Sequence, residues 1–176
     1  MLVVGEVLWD HFPDATRLGG APLNFAVHLR RFYDLNLRRG FDHPDLVETL
    51  LRAANVVKLN EAELRFVHEH LDLPLDPEDL CRLGAGRYGW DACCVTLGAR
   101  GCAMLVADDC VEADGLPADV ADTVGAGDAF TAAFLRGLIS DWPAAQIAES
   151  SNRAGAFAAS CHGAIPDRAP DTIFKA

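Results

Sequence analysis

The sequence has no excess of basic charge, no long apolar run, and none of the short motifs that announce a metal site or a P-loop. Its 176 residues hold 15 Lys and Arg against 26 Asp and Glu, a formal net charge of −11. A nucleic-acid surface needs a basic face, and membrane-surface proteins usually carry one, so neither partner is expected. No run approaches bilayer-spanning length, and Met1-Leu2-Val3-Val4-Gly5 lacks a basic leader region, which points to a cytoplasmic address. The six cysteines include no Cys-x-x-Cys pair, so neither structural zinc nor a disulfide framework is expected. Most of them read as small buried apolar residues. No Gly-x-x-x-x-Gly-Lys-[Ser/Thr] loop occurs, which excludes P-loop chemistry.

What is present is the material of a packed core. The chain is 51% hydrophobic and 23% charged, and its length suits one domain spanning residues 1–176. Strand patterns at Leu2–Leu8, Tyr33–Asn36, Asn55–Leu59, Asp91–Leu97 and Cys102–Val106 alternate with helix patterns. Helices are expected after the Gly19-Gly20-Ala21-Pro22 turn, over His43–Ala54 and Glu61–His70, from Pro77, over residues 125–140, and over Ala144–Cys161. Residues 107–119 read as turns. This alternation predicts an α/β fold with a mostly parallel sheet covered on both faces. Gly84-Ala85-Gly86-Arg87-Tyr88-Gly89 matches Gly-x-Gly-x-x-Gly, but a helix precedes it and a strand follows, so it is read as a helix-ending loop. Leu29 to Asp34 passes from helix to strand pattern without Gly, Pro, Asn or Ser, as if a segment were missing there.

The most informative run is Asp122-Thr123-Val124-Gly125-Ala126-Gly127-Asp128 ahead of an apolar helix. Backbone N–H groups at a glycine-lined helix start lack internal partners and can hold an anion. A carboxylate just behind them, Asp128, is placed to take a proton from an attacking hydroxyl. Together these suggest phosphoryl transfer to an alcohol, although a glycine turn before a core helix with an exposed Asp satisfies the same pattern. Asp10 is expected at the carboxyl end of the first strand, where open α/β sheets collect ligands. Gly19, Gly20 and Asn24 offer close backbone approach plus an amide. Asp34, Asn36 and Arg38 alternate onto one strand face, with Arg38 suited to phosphate, or form an edge strand's solvated face. Asn60 and Glu63 either order the water shell of Mg2+ or form a helix capping box. Thr96-Leu97-Gly98-Ala99-Arg100-Gly101 reads as a strand–turn–strand able to lie against a nucleotide, or as a plain hairpin.

Taken in order, these segments resemble the PfkB/ribokinase family of carbohydrate kinases. Asp122 to Asp128 matches its C-terminal signature, and Gly19 to Asn24 resembles its N-terminal one. Lys58 to Glu63 is similar to its Asn-x-x-Glu motif, and Thr96 to Gly101 to its nucleotide-side turn. Gly5-Glu6-Val7-Leu8-Trp9-Asp10 and Asp34 to Arg38 are most similar to the fructokinase-like branch. The resemblance implies a ribokinase-like three-layer fold and an ATP-dependent sugar kinase acting on a primary hydroxyl. It implies Asp128 as base and Gly125, Ala126 and Gly127 as anion hole. Asp10, Gly19, Gly20 and Asn24 would hold the sugar, with Arg38 near the phosphate or acceptor. Asn60 and Glu63 would organise Mg2+, with Glu63 acting through water. Thr96, Gly98, Gly101 and Asn152 would line the ATP pocket, and K+ would sit near Asp122. Family members are longer, and the segment expected between Phe32 and Tyr33, with part of the sheet and the lid, is absent. A nucleotide-binding remnant without turnover, and a homodimer covering exposed surface, are the other readings that this shortening leaves.

Overall fold

In a computed structural model of the chain, residues 8–11, 16–19, 31–37 and 43–163 are described. Strands β1 (Leu8–His11) and β2 (Thr16–Gly19) form an antiparallel two-stranded sheet. The main sheet holds β3 (Phe32–Asp34), β4 (Val56–Asn60), β5 (Ala92–Thr96), β6 (Gly101–Val106) and β7 (Asp109–Asp114), in that spatial order. The first three are parallel, and β6 runs antiparallel to both β5 and β7. Four of the five strands therefore point the same way, as expected of a mostly parallel sheet.

The strands carry apolar side chains on both faces, the pattern of a sheet buried between layers. Val57, Leu59, Cys93, Val95 and Leu105 pack into a core with helices α1 (Pro44–Ala53), α2 (Glu61–Leu71) and α3 (Pro77–Tyr88). Val56, Ala92, Cys94, Cys102 and Met104 pack on the other side, with α4 (Ala126–Ile139) and α5 (Ala144–Ala159). Buried Trp90 joins sheet to helix layer by donating its indole N–H to the Leu51 carbonyl at 2.9 Å.

Several sequence expectations change. Residues 109–114 form β7 rather than turns, because alternating Val111 and Ala113 face the core on one side while Glu112 and Asp114 stay exposed. The Gly84–Tyr88 stretch stays helical, and the helix ends at Gly89 in the left-handed region (φ 76°). Gly84 serves packing: an added Cβ would lie 1.9 Å from the Trp90 ring. β3 stops at Asp34, and Asn36 turns into the left-handed region (φ 41°), so the strand alternation does not continue from Asp34 to Asn36. The Phe32–Tyr33 junction lies inside β3. Finally, β1 runs through Trp9 and Asp10 to His11, so Asp10 lies near the strand's carboxyl end as expected, and Gly19 is the last residue of a strand, β2, that the sequence did not suggest.

Candidate active site

Because β3, β4, β5 and β7 point the same way, their carboxyl ends gather Asp34, Asn60, Thr96 and Asp114 along one sheet edge. Gly101, where the opposite-running β6 begins, lies on the same edge. Ligands of open α/β sheets collect at such an edge.

α4 begins beside it. Gly125 takes a left-handed conformation (φ 82°, ψ −8°) that only glycine adopts without strain, and no side chain caps the helix start. Ala126 N–H makes a 3.3 Å turn bond to the Thr123 carbonyl. Gly127 and Asp128 follow, both exposed, in the first turn of the helix. An uncapped helix start carries unpartnered N–H donors and the positive end of the helix dipole, and so favours an anion. Asp122 fixes the loop in front of it: one carboxylate oxygen accepts from Val124 N–H at 3.0 Å, the other from Gly163 N–H at 3.3 Å. The backbone N–H groups of Ala121 and Asp122 both donate to the Ala159 carbonyl, at 2.9 and 3.2 Å.

Asn60 and Glu63 form the capping box. Asn60 Oδ1 accepts from Ala62 and Glu63 N–H at 2.9 and 3.0 Å, and a Glu63 oxygen accepts from Asn60 N–H at 2.8 Å. The other Glu63 oxygen accepts from Leu37 N–H at 3.0 Å, tying the chain after β3 to α2. Glu63 is 2% exposed, and this burial raises its carboxyl above the ordinary value despite the two N–H bonds. Both Glu63 oxygens thus meet backbone donors. The Asn60 side chain is the exposed member of the pair.

The 96–101 segment has the expected strand–turn–strand form, with a 3-10 turn at Gly98–Arg100 joining β5 to β6. Thr96 is half-buried, and its hydroxyl lies 3.4 Å from the Leu59 carbonyl. Gly101 (φ 98°) is required twice over, since a Cβ there would also meet the Ala113 carbonyl at 1.9 Å. Gly115, which the sequence did not single out, meets Ala99 in the same way from the β7 side. Asn152 is buried on α5 and donates through its amide to the Ala113 and Asp114 carbonyls at 3.2 and 3.1 Å. It therefore holds the wall behind the turn. A cleft of about 420 Å3 opens on the α2 side, lined by Glu61, Arg65, Leu97, Arg100 and Glu112 among others, but by no residue of the α4 start.

Sequence reading missed one cluster. Lys58, 5% exposed on β4, donates to both carboxylate oxygens of Asp34 on β3 at 3.0 Å. The hydroxyl of Thr131 on α4 lies 3.3 Å from one of those oxygens and 2.8 Å from the Gly127 carbonyl. The available signal was strand period: Lys58 shares its face with Val56, the face that α4 covers. Tyr33 stands near Glu63 and Asp34, and burial first, then those charges, raises its phenol well above the ordinary range. Of the sugar-side candidates, Asp10 and Gly19 lie in the separate hairpin, while Gly20, Asn24 and Arg38 lie outside the described residues. Among the described residues no group of three or more His, Cys, Asp or Glu could hold a metal ion, and no helix is long and apolar enough to cross a membrane.

The site thus pairs a helix start that no side chain caps with an exposed carboxylate in its first turn. Residues 23–172 match the model of the pfkB family carbohydrate kinases. The chain is 32% identical over 146 residues to a probable chloroplastic fructokinase-6 of Arabidopsis thaliana, covering 76% of this chain and 37% of that protein. It is also 32% identical over 121 residues to a fructokinase of Escherichia coli, covering 65% and 38%. Among solved structures, a putative ribokinase II from E. coli in its apo form superposes with a TM-score of 0.66 at 22% identity, covering 81% of this chain and 48% of that one. A Xylella fastidiosa fructokinase with bound ATP gives 0.62 at 22% identity, covering 76% and 46%. These structures show a ribokinase-like fold, and the chain spans about two fifths of the curated relatives' length. The chain belongs to the pfkB family of carbohydrate kinases.

Proposed function

We propose that the chain is an ATP-dependent sugar kinase of fructokinase-like type, transferring the γ-phosphoryl group of ATP to a primary hydroxyl. The observation that carries this reading is the uncapped start of α4, with Gly125 in the left-handed region and Asp128 exposed two residues beyond Ala126. In this reading Gly125, Ala126 and Gly127 form the anion hole for the transferring phosphoryl group, where aligned N–H donors are worth about 2.7–4 kcal/mol each in the transition state. Asp128 accepts the proton of the attacking sugar hydroxyl, and the oxygen so freed attacks phosphorus in line as the bond to ADP breaks.

The 98–101 turn and the Ala113–Gly115 strand end, braced by Asn152, form the nucleotide wall, with Thr96 and Gly98 at its rim. Asn60, exposed at the sheet edge, and Glu63, acting through water, would organise Mg2+, and Glu63 also holds the Asn60 backbone N–H. Bound with the nucleotide, Mg2+ offsets charge on the phosphate oxygens. Gly19, Gly20, Asn24, Asp10 and Arg38 remain the sugar-side candidates, Asp122 the candidate neighbour of a K+ ion, and a homodimer the candidate assembly. The address consistent with this chemistry is the cytoplasm.

One observation favours a second reading, a nucleotide-binding remnant without turnover: Asp10 and Gly19 lie in a hairpin apart from the main sheet. ADP release from MgATP with a panel of free sugars separates the two. A sugar-dependent release abolished by Asp128→Asn supports the kinase. A folded wild type that binds ATP and releases no ADP with any sugar supports the remnant.

A further inference from the structure

We propose that Lys58, Asp34 and Thr131 form a positioning cluster that sets the first turn of α4, and with it Asp128, against the sheet edge. This inference rests on the kinase reading for its catalytic consequence. Lys58 and Asp34 are register partners on adjacent parallel strands, and both oxygens of Asp34 lie 3.0 Å from the Lys58 ammonium. Thr131 stands one helical turn beyond Asp128, on the same side of α4, since residues three apart on a helix are neighbours. Its hydroxyl has one hydrogen and two acceptors in reach: Asp34 Oδ2 at 3.3 Å and the Gly127 carbonyl at 2.8 Å. Thr131 thereby stands between the Asp34 carboxylate and the peptide of Gly127, one of the anion-cradle residues.

Stability alone does not account for an ammonium in this place. Lys58 is flanked on its own strand by buried Val57 and Leu59, and it shares a layer with Val56, Cys94, Met104 and Phe130. Removing an ammonium from water costs about what the ion pair returns, and a well-packed apolar residue often does as well or better. Direction is what such a residue would lack. Two charged contacts fix the Asp34 carboxylate, and the carboxylate then fixes the rotation of α4 through Thr131. A catalytic base needs that restraint, because misplacement by about 1 Å can cost on the order of a hundredfold in rate.

The test compares Thr131→Val, Thr131→Ser and Asp34→Asn with the wild type. Two readouts are taken: sugar-dependent kcat and KM for MgATP, and amide hydrogen exchange at Ala129 and Phe130. Thr131→Val keeps the shape of the side chain and is expected to fold. It should lower kcat by about tenfold to a hundredfold while KM for MgATP stays unchanged. Thr131→Ser should restore kcat, because it restores the hydroxyl. Exchange at Ala129 and Phe130 should quicken in Thr131→Val and Asp34→Asn but not in Thr131→Ser. Wild-type kcat in Thr131→Val, or equal losses in the Val and Ser variants, would overturn the proposal. If the wild type shows no sugar-dependent turnover, the kinase reading fails and the exchange data decide the cluster alone: unchanged exchange in Thr131→Val refutes it, and faster exchange rescued by Ser upholds it.

Discussion

At the scale of single residues, charge and burial decide the predictions. The Lys58–Asp34 pair is asymmetric, with side-chain exposures of 7% and 26%. Asp34→Ala strands an ammonium with little access to water and should cost about 3–5 kcal/mol in denaturant unfolding. Lys58→Met leaves a carboxylate that water can reach, so its loss should be nearer about 1–3 kcal/mol. A larger loss for Lys58→Met would contradict this account of the pair. Glu63 makes a pH prediction. Its carboxyl is raised above 4.5 chiefly by burial, so the folded state holds that proton more tightly than the unfolded state does. Its contribution to stability therefore falls as pH rises from 4.5 through the folded-state value, then levels off. Stability measured against pH should show this decline in the wild type and not in Glu63→Gln; parallel curves would refute it. Placements that depend on local motifs, Asn60 at its helix cap and Gly101 at its turn among them, were legible in the sequence. Lys58 and Thr131 were not, because their meaning arises only when β3, β4 and α4 meet in space.

At the scale of elements, glycines and caps set the boundaries. Asn60 caps α2 through two N–H groups, so Asn60→Ala should cost about 0.5–2 kcal/mol quite apart from any loss of activity. Gly84 is the opposite case. Alanine is the better helix former by about 1 kcal/mol, yet its Cβ would overlap the Trp90 ring. Gly84→Ala should therefore destabilise the protein, by about 1–3 kcal/mol, with the thermal midpoint as the check. A raised midpoint would show that Trp90 moves aside freely. The strongly periodic helices α1 and α2 were readable to within a residue or two, since their apolar stripes and caps are local signals. β7 was missed because its apolar positions, Cys110, Val111 and Ala113, are interrupted by Asp109, Glu112 and Asp114, which look like a loop. The end of β3 was missed because a left-handed Asn36 leaves no mark in an alternating pattern.

At the scale of the whole molecule, a sheet between two helix layers makes the thiols a reporter of packing. Cys81, Cys93, Cys94 and Cys102 are at most 2% exposed, and burial raises the Cys93 and Cys94 thiols well above the ordinary value. Cys110 and Cys161 are half-buried, and burial pushes the Cys110 thiol up to about 11. Alkylation of the native protein near neutral pH should mark Cys161 first, Cys110 slowly, and the other four only on unfolding. Early labelling of Cys93 or Cys94 would mean that the three layers do not close. The family signature and the layer order were visible in sequence because both follow from motif order along the chain. The placement of Asp10 and Gly19 in a hairpin apart from the main sheet was not, since only long-range pairing determines it.

The central claim is that the start of α4 with Asp128 carries out phosphoryl transfer. ADP release by wild type and Asp128→Asn, with MgATP and a panel of sugars, tests it most directly. The account predicts sugar-dependent release in the wild type, its loss in Asp128→Asn, and nearly unchanged ATP binding in both. Equal sugar-dependent release from the two proteins would contradict it.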